Sequence, residues 1–321
     1  MHTRRAFLAG LAGGALLPAA SQVWPTAIGL NGFGSSERVF GKKYELEGIL
    51  AFAQKEGFDG VEWWPFHGPY PSPADDAAVK ALRSKVEAYG LRIFSIQTQP
   101  RGASPLHPDP DVRQKYVELL KGQIDLAVKL GGEAAGVWPP PVAAAKDASE
   151  DQIIERLAEC LRPAVRHAAD QGLFVAIEGE PPLVINTPAR YKKLFAAVGM
   201  KEFKVIFDPS HFDLLTGGKL RPDRLLQELG VGRVGYVQLT DGDGTLTKRP
   251  DGSTGTSKHL PAGEGKYDLQ GLLEMLYRGG FRGWVQIDTW ETEDPFHASR
   301  AGRQAVQAAL RKLTAAARPG L

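Results

Sequence analysis

The sequence predicts a single-domain (β/α)₈ barrel, and three observations lead to this fold class. First, short runs rich in β-branched and aromatic residues alternate with longer stretches of helical periodicity from residue 26 onward. Second, eight such pairs fit into roughly 290 residues, a usual size for an eightfold parallel barrel. Third, no G-x-G-x-x-G follows the first run, so the fingerprint of the rival fold, an open doubly wound sheet, is missing.

The elements follow one another in a regular order. The eight predicted strands are "TAIGLNG", "GFDGVEWW", "LRIFSIQTQ", "EAAGVWPPP", "LFVAIEGE", "KVIFDPS", "RVGYVQLTD" and "GWVQIDTW". Helix starts are indicated by Ser72-Pro73 and Thr187-Pro188, as an N-cap followed by proline, and by a capping box of Ser149 with Gln152. Helix ends are predicted at glycines, namely Gly57, Gly90, Gly131, Gly172 and Gly199.

The composition describes an ordinary folded chain and argues against several classes of protein. Hydrophobic residues make up 43% and charged residues 24% of the sequence. Lys+Arg 39 against Asp+Glu 37 gives no basic surplus, so nothing indicates a nucleic-acid partner. The single Cys160 forms neither an intramolecular disulfide nor a cysteine zinc cluster, and its helical context predicts burial.

Residues 1–25 are interpreted as a signal peptide with a short linker, and residues 26–321 as the barrel. "MHTRRAFLAGLAGGALLPAA" has a basic start, an apolar run and small residues where cleavage is expected. Its adjacent Arg4 and Arg5 resemble a bacterial twin-arginine signal, which exports proteins already folded. The run is shorter than the about 20 residues that a membrane span needs. We therefore expect a periplasmic protein with no stable membrane insertion after cleavage; the alternative is a frayed terminus of a cytosolic protein.

Polar residues end four successive strands of the second half. Strand five ends in Glu178, strand six in Asp208, strand seven in Gln238 and strand eight in Asp288. The carboxyl ends of barrel strands meet at one face, where chemistry gathers. Three carboxylates converging there would repel one another, and a divalent cation removes that conflict. Asp208, in "FKVIFDPSHF", has a second reading as a turn former before proline, and the sequence leaves both readings open.

These segments resemble the xylose isomerase-like TIM-barrel superfamily, often described as sugar phosphate isomerases/epimerases. "GFDGVEWW" is similar to its second strand with substrate-binding Glu62, "QGLFVAIEGE" to its fifth with metal-binding Glu178, and "VIFDPSHF" to its sixth. The resemblance implies that Asp208 binds metal and that His211 contacts substrate. It also implies that "KHLPAGEGKYDL" places His259 and Glu264 near the substrate.

Two positions depart from the family pattern. Gln238 stands where the family usually has a metal-binding histidine, and Asp288 where it usually has glutamate. A glutamine oxygen keeps a ligand set of Glu178, Asp208, Gln238 and Asp288 all-oxygen, which favours Mn²⁺ or Mg²⁺. Asp288 is shorter than glutamate by roughly 1.5 Å, one carbon–carbon bond. The shorter reach of Asp288 disfavours epimerisation by two bases. The alternative prediction is therefore a lyase or dehydratase.

Further candidates lie at or just beyond the strand ends. Trp63, Trp64, Tyr70 and Trp138 are either packing residues or aromatic platforms for a sugar. His67 follows in "WWPFHG", and Gln97 and Gln99 alternate along strand three, so all three are candidate substrate contacts. "DGDGTLTKRPDGSTG" lacks the last glutamate of an EF-hand loop and is interpreted as a flexible loop over the barrel mouth.

The function predicted from these residues is a divalent-metal-dependent sugar or keto-sugar isomerase/epimerase. Glu178 or Asp288 would remove an α-proton to give an enediolate, and His211 would hold a neighbouring hydroxyl or act as an acid. The alternatives are a metal-dependent lyase/dehydratase and a noncatalytic sugar-binding barrel. A DNA-repair endonuclease of the same fold is disfavoured, because the seven histidines are too few and too scattered for a three-metal cluster. The expected partner is a small sugar-like molecule.

Overall fold

A closed barrel of eight parallel strands forms the centre of the protein. The computed structural model describes residues 24–146 and 148–316. The strands are β1 (Thr26–Gly29), β2 (Gly60–Trp63), β3 (Arg92–Gln97), β4 (Ala134–Val137), β5 (Phe174–Ile177), β6 (Phe203–Phe207), β7 (Val234–Leu239) and β10 (Val285–Ile287). Their order around the barrel is β1-β10-β7-β6-β5-β4-β3-β2. The predicted single-domain (β/α)₈ barrel is confirmed.

Helices follow the strands and cover the outside of the barrel. They are α1 (Leu30–Phe40), α2 (Leu46–Glu56), α3 (Asp76–Glu87), α4 (Pro110–Lys129), α5 (Glu150–Asp170), α6 (Pro188–Val198), α7 (Pro209–Leu215), α8 (Asp223–Leu229), α9 (Leu269–Arg278) and α10 (Pro295–Ala316). Two short 3₁₀ helices span Val142–Ala145 and Val231–Arg233. An antiparallel hairpin of β8 (Leu246–Lys248) and β9 (Thr254–Ser257) follows β7.

The core has an inner and an outer layer, as the near-continuous apolar strands require. Inside the barrel, a cluster closes the interior below the mouth: Ala27, Phe94, Ala134, Ala176, Ile206, Tyr236 and Trp284. The larger outer cluster packs strands against helices and contains Cys160, which is fully buried as predicted. The closed interior leaves the carboxyl-terminal end as the place where a small molecule can enter.

Most predicted helix boundaries are confirmed, and one is corrected. Thr187 caps α6 with Pro188 at its start, and Ser149 forms the capping box of α5 with Gln152. All five glycines predicted to end helices have positive φ. Ser72-Pro73 does not start α3; the side chain of Asp75 accepts from the backbone N–H of Ala78 and caps it instead.

The first strand is shorter than predicted, because it ends at Gly29 and α1 begins at once with Leu30. A Cβ at Gly29 would lie 1.9 Å from the Gln286 side chain, so glycine permits this tight strand-to-helix transition. The loop after β7 contains the hairpin β8–β9, which the sequence did not predict.

The signal-peptide prediction concerns residues that the structure leaves undescribed, apart from Trp24 and Pro25. Between residues 24 and 316, excluding 147, no helix combines the length and apolar character needed to cross a membrane.

Candidate active site and metal centre

A cavity of about 170 Å³ opens at the carboxyl-terminal end of the barrel. It lies where the strand ends converge, as the fold requires. Its lining combines carboxylates, imidazoles, amides, hydroxyls and indole rings: Asn31, Trp64, Gln97, Thr98, Gln99, Trp138, Glu178, Glu180, His211, Thr256, His259, Asp288 and Trp290. Acid–base groups beside flat aromatic surfaces make this cavity the candidate active site.

Asp208 is both a turn former and a candidate ligand, because its two carboxylate oxygens have different partners. Oδ1 accepts from the backbone N–H of Ser210 at 2.6 Å and of His211 at 3.2 Å, and so caps α7. Oδ2 is buried and has no hydrogen-bond partner among the described residues. The cap fixes the carboxylate and leaves one oxygen available for a cation.

Glu178 and Asp288 show the same division between an anchored and a free oxygen. Glu178 accepts a hydrogen bond from Trp138 Nε1 on Oε2, while its buried Oε1 has no such partner in the described part of the chain. Asp288 accepts from the backbone N–H of Trp290 at 2.8 Å on Oδ1. Its Oδ2 lies 4.0 Å from Nε2 of His259. Carboxylates after β5, β6 and β10 are thus held in fixed orientations around one space.

Two histidines complete this group. Nε2 of His259 lies 3.3 Å from Oδ2 of Asp208 but makes no hydrogen bond with any described residue. Its Nδ1 contacts the backbone oxygen of Ser257 at 2.8 Å, so the nitrogen directed at the carboxylates is Nε2. His211 places Nε2 3.7 Å from Oε1 of Glu178, and its Nδ1 contacts the hydroxyl of Ser257.

The electrostatics of this group fit a cation. Burial and the charges of Glu180, Asp208 and Asp288 raise the pKa of Glu178 well above its ordinary value. Burial also raises the pKa of Asp288. Burial by itself would raise the pKa of Asp208. The charge of His211 and the contact with His259 outweigh burial and lower this pKa to about 2. Without a metal ion, proton uptake by Glu178 and by His259 offsets the repulsion of the crowded carboxylates.

The positions of the donor atoms also fit a bound metal ion. The candidate ligand atoms of Asp208, His211 and His259 lie within 4.8 Å of one another. Those of Glu178, Glu180 and His211 form a second such group. Three atoms at the centre of the site are buried without hydrogen bonds to any described residue: Glu178 Oε1, Asp208 Oδ2 and His259 Nε2. Unsatisfied buried polar atoms are rare, and a divalent cation would satisfy all three.

Gln238, the predicted fourth ligand, lies deeper in the barrel than the carboxylates. It is within β7 and aligned with Gln286 of β10, two residues before Asp288, which is a difference of about 6.6 Å along a strand. Its Nε2 donates to Oε2 of Glu62 at 2.7 Å, whereas its Oε1 is buried and unpartnered among the residues described. Gln238 does not line the cavity.

Glu62 organises this deeper layer and does not reach the cavity. It is fully buried, and it accepts from Tyr236 at 2.6 Å, Gln97 at 3.0 Å and Gln238 at 2.7 Å. Burial raises its pKa to about 7 despite these three hydrogen bonds. Gln97 lines the cavity. Glu62 therefore affects the cavity indirectly, because it fixes the orientation of the Gln97 amide.

Comparison with known proteins identifies the family. A model of the xylose isomerase-like TIM barrel matches residues 50–315. The chain belongs to the xylose isomerase-like TIM barrel family. It is 26% identical to the SgbU protein of Escherichia coli, provisionally named an L-ribulose-5-phosphate 3-epimerase, over 57% of this chain and 60% of SgbU.

Other curated relatives have related names. A Streptomyces coelicolor protein provisionally named a hydroxypyruvate isomerase is 26% identical, over 76% of this chain and 85% of that protein. An inosose dehydratase of Klebsiella pneumoniae is 26% identical, over 51% of this chain and 56% of the dehydratase. These relatives are sugar isomerases, epimerases and a dehydratase by name.

Solved structures show the same fold. A D-tagatose 3-epimerase-like protein superimposes with a TM-score of 0.70 at 19% identity, covering 90% of this chain and 99% of that one. The IolI protein with a bound zinc atom superimposes with a TM-score of 0.64 at 17% identity, covering 91% and 97%.

Within this xylose isomerase-like barrel, Glu62 and three other residues predicted to contact substrate lie outside the cavity lining. Trp63 packs in the outer core, and its neighbour Trp64 lines the cavity instead. His67 is exposed and contacts Glu37 at 3.1 Å. Glu264 is exposed and contacts His297 at 2.6 Å. By contrast, Gln97, Trp138 and His259 line the cavity.

Sequence reasoning did not single out five lining residues of this family member: Asn31, Thr98, Glu180, Thr256 and Trp290. Glu180 and Trp290 each stand two residues beyond a strand-end carboxylate, a spacing that could have indicated them. Thr256 comes from the hairpin and donates to Glu180 at 2.8 Å. Asn31 belongs to α1, whose first three residues were predicted as the end of the first strand.

Proposed function

We propose that this protein is a metal-dependent sugar isomerase or epimerase that exchanges a proton next to a carbonyl group. The observation that carries the proposal is the shared arrangement of Glu178, Asp208 and Asp288. Each carboxylate has one oxygen fixed by a hydrogen bond and the other directed into the same space. Three oxygens arranged in this way could hold a divalent cation, and a cation is the charge that would stabilise an anionic enediolate.

The metal would be held by Glu178, Asp208, Asp288 and His259. A set of carboxylates with one imidazole fits a transition-metal ion such as Mn²⁺ better than Mg²⁺. When bound, the ion would supply Lewis-acid polarisation of adjacent carbonyl and hydroxyl oxygens. This ligand set replaces the all-oxygen set with Gln238, because His259 directs Nε2 at the carboxylates and Gln238 donates to Glu62.

The protein side chains then have separate roles. Glu178 takes the α-proton, because its side chain is one carbon longer than that of Asp288 and reaches further into the cavity that both residues line. Trp138 holds Glu178 in place. His211, positioned by Ser257, donates to the substrate oxygen that becomes a hydroxyl. Gln97, fixed by Glu62, orients a substrate hydroxyl.

Dehydration is the second candidate function. Asp288 is one carbon shorter than the usual glutamate, and its Oδ1 is committed to the backbone N–H of Trp290. Glu178 also has one oxygen bonded, to Trp138, so it is the shorter reach of Asp288 that makes it a poor second base. With Glu178 as the only base, loss of a β-hydroxyl competes with return of the proton, and an inosose dehydratase is among the relatives.

The test is proton exchange in D₂O with a panel of ketoses, including D-fructose and L-ribulose, and with hydroxypyruvate. We expect deuterium at the carbon next to the carbonyl with Mn²⁺-loaded protein and none after treatment with EDTA. A product with lost water identifies the dehydratase. Saturable binding of a ketose without exchange would contradict the proposal and favour a sugar-binding protein.

Export stays a separate proposal, resting on the "TRRAFL" segment. We infer that the twin-arginine pathway carries the folded protein to the periplasm, with cleavage near residues 19–22. N-terminal sequencing of protein from the native host tests this, and an intact Met1 on cytoplasmic material contradicts it.

A further inference from the structure

The charge of the cavity wall restricts the substrate class, and this inference rests on the proposed function. Glu178, Glu180 and Asp288 line the cavity, and among its described lining residues there is no lysine or arginine. A phosphate ester carries close to two negative charges at neutral pH and is bound by Arg, Lys or helix N-termini. One divalent cation offsets only part of the carboxylate charge.

Basic side chains near the mouth have acidic or polar partners of their own. Arg38 and Arg249 both donate to Oε1 of Glu291, at 3.0 and 2.7 Å. Lys258 donates to Asp243 at 2.9 Å. Arg101 donates to the amide oxygen of Gln99 at 3.0 Å and, in the described part of the chain, is the guanidinium that forms a hydrogen bond with a lining side chain. It is therefore the group to remove in a test.

The helix that begins at the cavity offers no space for a phosphate either. The N-terminus of α1 has no side-chain cap, which is the usual condition for binding an anion. However, a Cβ at Gly29 or Gly32 would lie 1.9 Å from a side-chain atom of Gln286 or Thr289, respectively. These side chains cover the start of the helix.

Instead, three indole rings line the cavity. Trp64, Trp138 and Trp290 follow β2, β4 and β10. Trp64 lies against Gly34 of α1, where a Cβ would come within 2.4 Å of the ring. The guanidinium of Arg38 stacks on Trp290, 5.0 Å from the ring centre. Indole faces are electron-rich and attract the C–H groups on the apolar face of an uncharged sugar ring.

We propose that the substrate is an uncharged sugar or keto-sugar, without a phosphate group, bound between tryptophan faces. The three tryptophans supply contact area, and Gln97, Asn31 and Thr256 supply hydrogen bonds to hydroxyls. A phosphate group would bring its charge next to the carboxylates and meet no basic lining residue. The relative provisionally named a ribulose-phosphate epimerase would then differ from this chain in its substrate.

The experiment compares matched pairs: D-fructose with D-fructose 6-phosphate, and L-ribulose with L-ribulose 5-phosphate. Each is titrated into Mn²⁺-loaded protein by calorimetry, with tryptophan fluorescence as the second readout. We expect at least one free ketose to bind at least tenfold more tightly than its phosphate ester. Arg101→Gln should leave this ratio unchanged, and Trp290→Ala should weaken free-ketose binding at least tenfold. Trp24→Phe, in the outer core, is the control for loss of an indole outside the cavity.

Three results would overturn the proposal: no free ketose binds, a phosphate ester binds as tightly as its parent, or Trp290→Ala binds like wild type. Ester binding that disappears in Arg101→Gln would identify Arg101 as an anion site. Proton exchange in D₂O separates this proposal from the proposed function. Selective binding without exchange refutes the function alone, and exchange only with phosphate esters refutes the substrate class alone.

Discussion

Nε2 of His259 lies 3.3 Å from Oδ2 of Asp208, and neither atom makes a hydrogen bond with any residue that the structure describes. His259 comes from the segment just after the hairpin β8–β9, not from a barrel strand. In the proposed ligand set, His259 therefore approaches the carboxylates from a loop, where the predicted set had Gln238 of strand seven. This relationship gives the first two predictions.

His259→Ala should weaken Mn²⁺ binding at least about tenfold, because it removes a nitrogen donor from the site. Gln238→Met should leave the affinity nearly unchanged, because the Gln238 amide donates to Glu62 below the cavity. Calorimetric titration of both variants, after circular dichroism has established that they fold, provides the measurement. A large loss in Gln238→Met with normal affinity in His259→Ala would restore Gln238 as the ligand.

Metal binding should release protons, and its apparent affinity should increase with pH. Burial by itself would lower the pKa of His259. The contact with Asp208 and the charge of Asp288 outweigh burial and raise this pKa to about 9. Below that pH the imidazole must lose a proton before it can bind metal. Between pH 6 and 8 the apparent Kd for Mn²⁺ should fall about tenfold per pH unit for each proton released. Titration in two buffers of different ionisation enthalpy checks this, and equal heats would contradict it.

Glu178→Gln should lower deuterium exchange at least about 100-fold, the contribution expected of a general base. Asp208→Asn should instead lower metal occupancy, because Oδ2 is the unpartnered oxygen directed at His259. Exchange rate and metal content are measured on the same samples. Glu264→Gln is the matched control, since Glu264 contacts His297 outside the cavity. Full metal occupancy in Asp208→Asn would remove Asp208 from the ligand set.

Asp288→Glu should keep the metal and add a second route for the proton. The extra carbon extends the carboxylate by roughly 1.5 Å within the cavity that Glu178 also lines. We expect wild type to return the proton to the same face or to eliminate water, and the variant to give some inversion. Product stereochemistry in D₂O is the measurement. Efficient epimerisation by wild type would refute the one-base mechanism.

Glu62 should make the metal-free protein less stable as the pH rises from about 4.5 to 7. Its pKa is about 7 in the folded protein against an ordinary value of 4.5. In this window the folded state therefore holds a proton that the unfolded chain has lost. The effect amounts to at most about 3 kcal/mol of the free energy of unfolding. Glu62→Gln removes this titration. The unfolding free energy of wild type minus that of the variant should therefore fall, by up to about 3 kcal/mol, as the pH rises through this window.

Urea denaturation with EDTA at pH 5 and pH 7.5 measures this difference. Glu264→Gln again serves as the control, because it makes the same chemical change at an exposed position. A difference between wild type and Glu62→Gln that stays constant with pH would contradict the prediction.

The sequence by itself determined the barrel and the identity of its strand-end carboxylates. Alternating strand and helix patterns are local, so eight strands could be recognised without knowing how they pair. Glu178, Asp208 and Asp288 each come directly after a buried strand. The carboxyl ends of parallel strands share one face of a barrel, so their approach to one another followed from their positions in the chain.

Tertiary structure decided which of the remaining side chains reach the cavity. Gln238 also lies near the end of a strand, but the register of β7 against β10 aligns it with Gln286 and not with Asp288. Such stagger depends on how the barrel closes, which no single strand encodes. His259 reaches Asp208 because the hairpin returns the chain to the mouth. Of the two tryptophans that the sequence left open between packing and substrate binding, Trp63 packs in the outer core and Trp64 lines the cavity, because neighbouring residues face opposite sides. These outcomes depend on contacts between residues distant in sequence, which local patterns do not determine.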